Sequence, residues 1–170
     1  FARELRVSAR LNHPNVLTFL GYVREETEKE IKYCLVTEMM VGGSLRDRLN
    51  STREPTTTEL LAMSLGVAKG VCYLHSKDIV HADLKAANVL ISRSGDLVLA
   101  DFGLARMAQS PWSKGYYTTE VTRASMRWVP FEYFHLEDSE KFRPDQKTDI
   151  WAFGMTLLVR LAMIWSREMH

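Results

Sequence analysis

The stretch Ile79-Val80-His81-Ala82-Asp83-Leu84-Lys85-Ala86-Ala87-Asn88-Val89-Leu90-Ile91-Ser92 sets three chemistry-bearing side chains, Asp83, Lys85 and Asn88, between two short apolar runs. A second apolar run, Leu97-Val98-Leu99-Ala100, follows after Arg93-Ser94-Gly95-Asp96. Two runs of this length around a Ser-Gly-Asp turn predict a small hairpin. Its two ends carry Asn88 and Asp101-Phe102-Gly103. Two carboxylates and an amide are thereby brought to one place.

Outward from this stretch the chain reads as a helix on one side and a loop on the other. Leu61, Leu65, Ala68, Val71, Cys72 and Leu74 recur at helical spacing, so a long amphipathic helix is expected over 58–76. A Thr cluster before Glu59 supplies its start. Ser44, after Gly42 and Gly43, can cap a short helix through Asn50. β-branched and aromatic residues dominate 16–24 and 31–40. The charged segment between them reads as the turn of an antiparallel hairpin. Residues 2–12 read as the end of a helix stopped at Pro14, and 105–126 as a long loop rich in Ser, Thr, Tyr and Gly. A last helix is expected from near Asp145 to about Met163.

Composition excludes several classes. The 170 residues are 46% hydrophobic and 25% charged, ordinary values for a globular chain and unlike disordered or collagenous sequence. A formal charge of +1 gives no broad positive field, which argues against nucleic acid or an anionic membrane as a partner. The apolar stretch from Ile150 to Trp165 is broken by Arg160 and too short for a membrane span. Cys34 and Cys72 sit among apolar neighbours without metal-ligand spacing and read as buried thiols, which fits a reducing compartment, the cytoplasm or the nucleus. The first residue is Phe1 and the opening residues read as helix interior, so a longer parent chain is expected.

Phosphoryl transfer needs little covalent help from a protein, but it needs divalent metal on oxygen ligands and a base for the attacking hydroxyl. Asn88 and Asp101 supply such ligands. Asp83 can accept the proton, and Lys85 can neutralise developing charge.

His81-Ala82-Asp83-Leu84, then Asn88, then Asp101-Phe102-Gly103 resemble the protein-kinase catalytic loop and its D-F-G partner. The resemblance extends along essentially the whole chain. Glu4 resembles the glutamate of the family's third helix. Leu35 to Leu45 resembles the hinge that holds adenine, with Thr37 as gatekeeper and the backbone of Glu38 and Met40 bonding the base. Leu45 and Leu90 resemble the apolar residues under the adenine. Asp149 resembles the buried aspartate that accepts bonds from the catalytic-loop backbone. His81 and Phe102 are structural in this reading. The implied fold is α+β, a truncated protein-kinase-like domain over 1–170. Residues 1–40 would be the remainder of the small lobe and hinge strand, and 41–170 the helical lobe. The implied activity moves the γ-phosphoryl of Mg²⁺-bound ATP to Ser or Thr hydroxyls of a protein substrate, with Tyr open. Lys85 resembles Ser/Thr kinases while the segment from Met126 to Glu132 leans toward tyrosine kinases, and the mixture most resembles the tyrosine-kinase-like group of Ser/Thr kinases.

Four departures stand against the family pattern. No residue here matches the Gly-rich loop and strand lysine expected before Glu4, which makes a catalytically inactive binding module the alternative reading. Ala82 replaces the arginine that receives an activation-loop phosphate. Candidate acceptors still follow, at Ser110, Ser113, Tyr116, Tyr117, Thr118, Thr119, Thr122 and Ser125. Pro130-Phe131-Glu132 stands where A-P-E is usual, and Ser8 is polar at a position usually apolar. The sequence identifies neither the protein substrate nor the oligomeric state.

Overall fold

A computed structural model of the chain describes residues 1–27, 30–51, 53, 55–107, 128–135 and 143–168. Helix α1 (Ala2–Ser8) ends six residues before Pro14 and leads to a hairpin of β1 (Phe19–Glu26) and β2 (Ile31–Thr37). The strands are antiparallel, with Tyr22 opposite Leu35 and Glu26 opposite Ile31. β1 extends into the charged segment expected to be turn, because Glu25 faces Lys32 across the pair and Arg24 bridges Glu26 at 2.7 Å. Past the strand ends the Thr27 N–H donates to the Glu30 carbonyl at 2.9 Å. β2 stops at Thr37 rather than Met40, and the Glu38 N–H turns to the Thr18 carbonyl. Val16, expected in β1, is buried instead and bridges Leu99 in parallel.

Helices α2 (Leu45–Asn50) and α3 (Thr57–Ser76) each begin with a reciprocal cap. Ser44 pairs with Asp47 and Thr56 with Glu59, satisfying amides that the first turn leaves without partners. α3 buries Val67, Gly70, Val71 and Leu74, a stripe at helical spacing. That stripe is rotated from the expected one: Leu61 and Leu65 are exposed. Cys72 lies on the same outer side and is exposed, and so is Cys34, because nothing among the described residues covers its part of the two-stranded hairpin. Both thiols are free, and the expectation that they are buried is corrected.

After α3 come β3 (Ile79–Val80), a 3₁₀ turn at Ala86–Asn88, and the hairpin of β4 (Val89–Ile91) and β5 (Leu97–Leu99). Val89 pairs with Leu99 and Ile91 with Leu97. β6 (Arg106–Met107) pairs antiparallel with β3, so these two residues of the expected loop are strand. The candidate phosphate acceptors from Ser110 to Ser125 lie outside the described residues. Phe131–His135 forms a 3₁₀ turn, with Pro130 buried and Glu132 exposed. Helix α4 (Gln146–Glu168) starts where expected and continues past Met163. Its first turn is capped by Asp145, whose Oδ1 accepts the Thr148 N–H at 2.9 Å. No helix among the described residues is long and apolar enough to cross a membrane.

The core lies between α3 and the β4–β5 hairpin. Leu74, Leu84, Val89 and Leu99 are at most 1% exposed, and burial of such side chains contributes roughly 1.5–3 kcal/mol each. This packing gives the loop from Asp83 to Asn88 a buried floor, since Leu84 and Val89 bracket Lys85 and Asn88.

Candidate active site

The β4–β5 register dictates the geometry. With Val89 opposite Leu99, Asn88 falls opposite Ala100, and the Ala100 N–H donates to the Asn88 carbonyl at 2.9 Å. The Ala100 carbonyl is held from the other side by His81 Nε2 at 3.0 Å. A carbonyl only accepts, so Nε2 carries the hydrogen, and Nδ1 accepts the Asp83 N–H at 3.3 Å. Both ring nitrogens are thus engaged with backbone, and His81 is 0% exposed: it is structural, as the sequence implies. Phe102 packs on its ring with centroids 5.3 Å apart and is 3% exposed. Asp101, the residue between these anchors, takes φ 64 and stays exposed.

Asp83, Lys85 and Asn88 touch directly. Lys85 Nζ donates to Asp83 Oδ2 at 2.6 Å, and Asn88 Nδ2 donates to the same oxygen at 3.0 Å and to the Asp83 carbonyl at 2.8 Å. Asn88 is buried, so these bonds fix its amide orientation and leave Oδ1 as its acceptor. Asp149 is 1% exposed and accepts the His81 N–H at 2.8 Å and the Ala82 N–H at 2.9 Å. Ala82 has φ 66, a left-handed conformation disfavoured for alanine, so the carboxylate holds the backbone where it would not rest by itself.

The remaining residues take more distant places. Glu4 is half-buried on α1. Desolvation first, then the negative charge of Asp101, push its carboxyl above the usual glutamate range. It makes no ion pair among the described residues. Thr37 ends β2 and is exposed, as is Glu38, while Met40 is half-buried. The segment after them is laced to β4. The Gly42 N–H donates to the Ile91 carbonyl at 3.0 Å, the Ile91 N–H to the Gly43 carbonyl at 2.9 Å, and Ser44 bridges Leu90. The lacing needs glycine: a Cβ on Gly42 would stand 2.7 Å from Ile91 side-chain and carbonyl atoms. Leu90 is half-buried, whereas Leu45 is 3% exposed and lies within the core.

The sequence pattern missed His75. Its Nε2 lies 2.9 Å from Asp149 Oδ2, and its carbonyl accepts Gln146 Nε2 at 3.2 Å. No local signal marks a histidine in the last turn of a helix, because its partners stand over seventy residues away.

A carboxylate held by a lysine and an amide, with a second, open carboxylate next to the residue that bonds the Asn88 carbonyl, is a set of donors that phosphoryl transfer can use. The chain belongs to the protein kinase family: the family model for protein tyrosine and serine/threonine kinases matches residues 1–161. Among curated proteins it is similar to the receptor-like protein kinase ANXUR1 of Arabidopsis thaliana, 31% identical over 92% of this chain and 18% of that protein. The serine/threonine-protein kinase STY46 of the same plant is 33% identical over 92% of this chain and 25% of its own length. The probable serine/threonine-protein kinase PBL28, also of Arabidopsis thaliana, is 33% identical over 93% of this chain and 41% of its own. The chain therefore spans well under half the length of these relatives.

Proposed function

We propose that the protein containing this chain transfers the γ-phosphoryl group of ATP to serine or threonine hydroxyls of a protein substrate. The observation that carries this is the Asp83 carboxylate, fixed by Lys85 and Asn88 on a loop whose far end is tied through Ala100 to Asp101. Asp83 accepts the proton of the attacking hydroxyl. Lys85 offsets negative charge that grows on the transferred group. Asn88 Oδ1 and the open Asp101 carboxylate are hard oxygen donors and suit Mg²⁺, which supplies charge neutralisation to the phosphates when bound. Among the described residues, neither the Glu38 carbonyl nor the Met40 N–H has a backbone partner, which suits both to adenine; on this reading Thr37 is the gatekeeper, half-buried Leu90 faces the base, and Leu45 supports that floor from the core. Glu4 orients the nucleotide-binding side of the cleft. The similarity to two Ser/Thr kinases favours Ser and Thr over Tyr.

The test is incubation of the full-length protein with γ-labelled ATP, Mg²⁺ and a mixed protein substrate, followed by phosphoamino-acid analysis. Label in phosphoserine and phosphothreonine is expected. Label in phosphotyrosine alone would overturn the substrate class, and no transfer would overturn the activity.

A further inference from the structure

We propose that the groove between α2, α3 and the turn of the β4–β5 hairpin is a docking site for a protein partner, and that its occupant is a short apolar peptide segment carrying an acidic side chain. The groove encloses about 560 Å³, within the range of ligand sites. Its wall includes Ile91 and Leu97, the last pair of the hairpin, three residues along β4 from Asn88 and thus roughly 10 Å from the catalytic loop. An occupant there does not compete with the chemistry at Asp83 and Asp101.

Three features of the wall define the occupant. The first is apolar: Met63, Leu65, Ile91 and Leu97 line the groove. Leu65 is 56% exposed and Leu61, one helical turn before it, 67%, so the apolar strip runs on past the groove along α3. A strip longer than the groove fits an extended chain better than a small molecule. The second is an open acceptor. Asn15 is only 8% exposed, and its Nδ2 donates to the Leu97 carbonyl at 2.8 Å, which fixes the amide. Oδ1 is left without a donor among the described residues and suits a peptide N–H. The third is charge. Glu59 is taken by the Thr56 N–H at 2.8 Å and by Arg53 at 2.7 Å, and Asp96 accepts the Ser94 hydroxyl. Arg48 spends Nη1 on Ser51 and the Arg53 carbonyl, whereas its buried Nη2 has no hydrogen-bond acceptor among the described residues and lies 3.8 Å from Glu59. Lys69 is exposed and makes no ion pair among the described residues. With Arg53 counted beside Glu59, cations outnumber acids around the groove, which favours a carboxylate on the occupant and disfavours an ammonium.

Fluorescence anisotropy on the full-length protein tests this with three pools of short labelled peptides: Leu-Xaa-Leu next to Glu, the same with Lys for Glu, and the same with Ser for both Leu. The Glu pool is expected to bind at least about tenfold more tightly than the other two. Leu65→Glu repels the carboxylate and Ala62→Trp fills the groove, both at exposed positions on its wall. Each should weaken the Glu pool at least about tenfold, with Tm and ATP affinity as in the parent. Lys69→Glu should reverse the order of the Glu and Lys pools. Equal binding of those two pools by the parent overturns the acidic occupant, and full binding by both Leu65→Glu and Ala62→Trp overturns the site. No saturable binding of any pool up to about 1 mM overturns the proposal outright. So does self-association in sedimentation that Leu65→Glu abolishes, because a second copy then fills the groove. Displacement of the Glu pool by hexanoate at equal molar affinity overturns it too, since a small carboxylate would then suffice. The readout is binding, and it stands whether or not the loop transfers phosphate.

Discussion

Gly70→Ala should destabilise the domain although alanine is the better helix former. Gly70 lies within α3, where the exchange by itself gains about 1 kcal/mol of helix propensity. A Cβ there would stand 2.7 Å from the Asn15 carbonyl oxygen and 2.8 and 2.9 Å from Leu99 Cδ1 and Cγ. Neither neighbour can yield easily. The Asn15 carbonyl accepts the Leu99 N–H at 2.9 Å, the Leu99 carbonyl accepts the Leu17 N–H at 2.8 Å, and the Asn15 side chain donates to the Leu97 carbonyl at 2.8 Å. Leu99 is 0% exposed. Overpacking of this kind costs about 1–3 kcal/mol, and stretching the Asn15–Leu99 bond adds about 1 kcal/mol. The net expectation is a loss of about 2 kcal/mol, which lowers Tm by roughly 4–8 °C for a domain of this size. Two glycines of the same type of setting calibrate the measurement. Gly66, whose Cβ would meet the Leu97 side chain at 3.1 Å, should lose less on change to alanine. Gly154 in α4 has nothing within 4 Å and should gain about 0.5–1 kcal/mol. Thermal and urea unfolding of the three variants give the order directly. A Gly70→Ala protein as stable as its parent would refute the close packing of α3 on β5.

The other predictions concern the caps and the proposed metal ligand. Ser44→Ala and Thr56→Ala should each cost about 1 kcal/mol by removing the hydroxyl that receives the third amide of its helix, read as a fall in the urea midpoint. The Thr56 backbone N–H first, and then Arg53, hold the Glu59 carboxyl below its ordinary range. A depressed folded value contributes stability that is present above about pH 4.3 and lost as pH falls through the folded value. Glu59→Gln should therefore flatten the acid limb of the stability curve, and an unchanged limb would remove Glu59 from it. Asp101→Asn should weaken Mg²⁺-dependent nucleotide binding at least tenfold in calorimetry, about 1.4 kcal/mol, while metal-free binding changes little.

Much of this was legible because it is local. Ser44 with Asp47, Thr56 with Glu59, and the Ser-Gly-Asp turn between β4 and β5 lie within a few residues of their partners, so sequence spacing alone reports them. The contacts among Asp83, Lys85 and Asn88 were legible for the same reason, since the three lie close together in the chain, and the hairpin register sets Ala100, the neighbour of Asp101, against Asn88. Contacts made at long range were not. Val16 looks like strand by its β-branched side chain, yet its partner is Leu99, far along the chain, and that bridge takes it out of the hairpin. The pairing of Arg106 with Val80 spans less of the chain but is also non-local, and it turned expected loop into strand. Cys34 and Cys72 were misread because apolar neighbours in sequence do not determine which side of a hairpin or helix is covered. His75 was invisible until α4 placed Asp149 against it.

The most direct test of the central claim compares single-turnover phosphoryl transfer by the full-length protein and its Asp83→Asn variant, with nucleotide affinity measured on both. Lys85 and Asn88 can still hydrogen-bond an amide oxygen at this position, so the loop should keep its shape and lose only its base. The transfer rate should fall about 10²- to 10⁴-fold while ATP affinity stays within a few-fold. Transfer at the parental rate would contradict the assignment of Asp83 as the base.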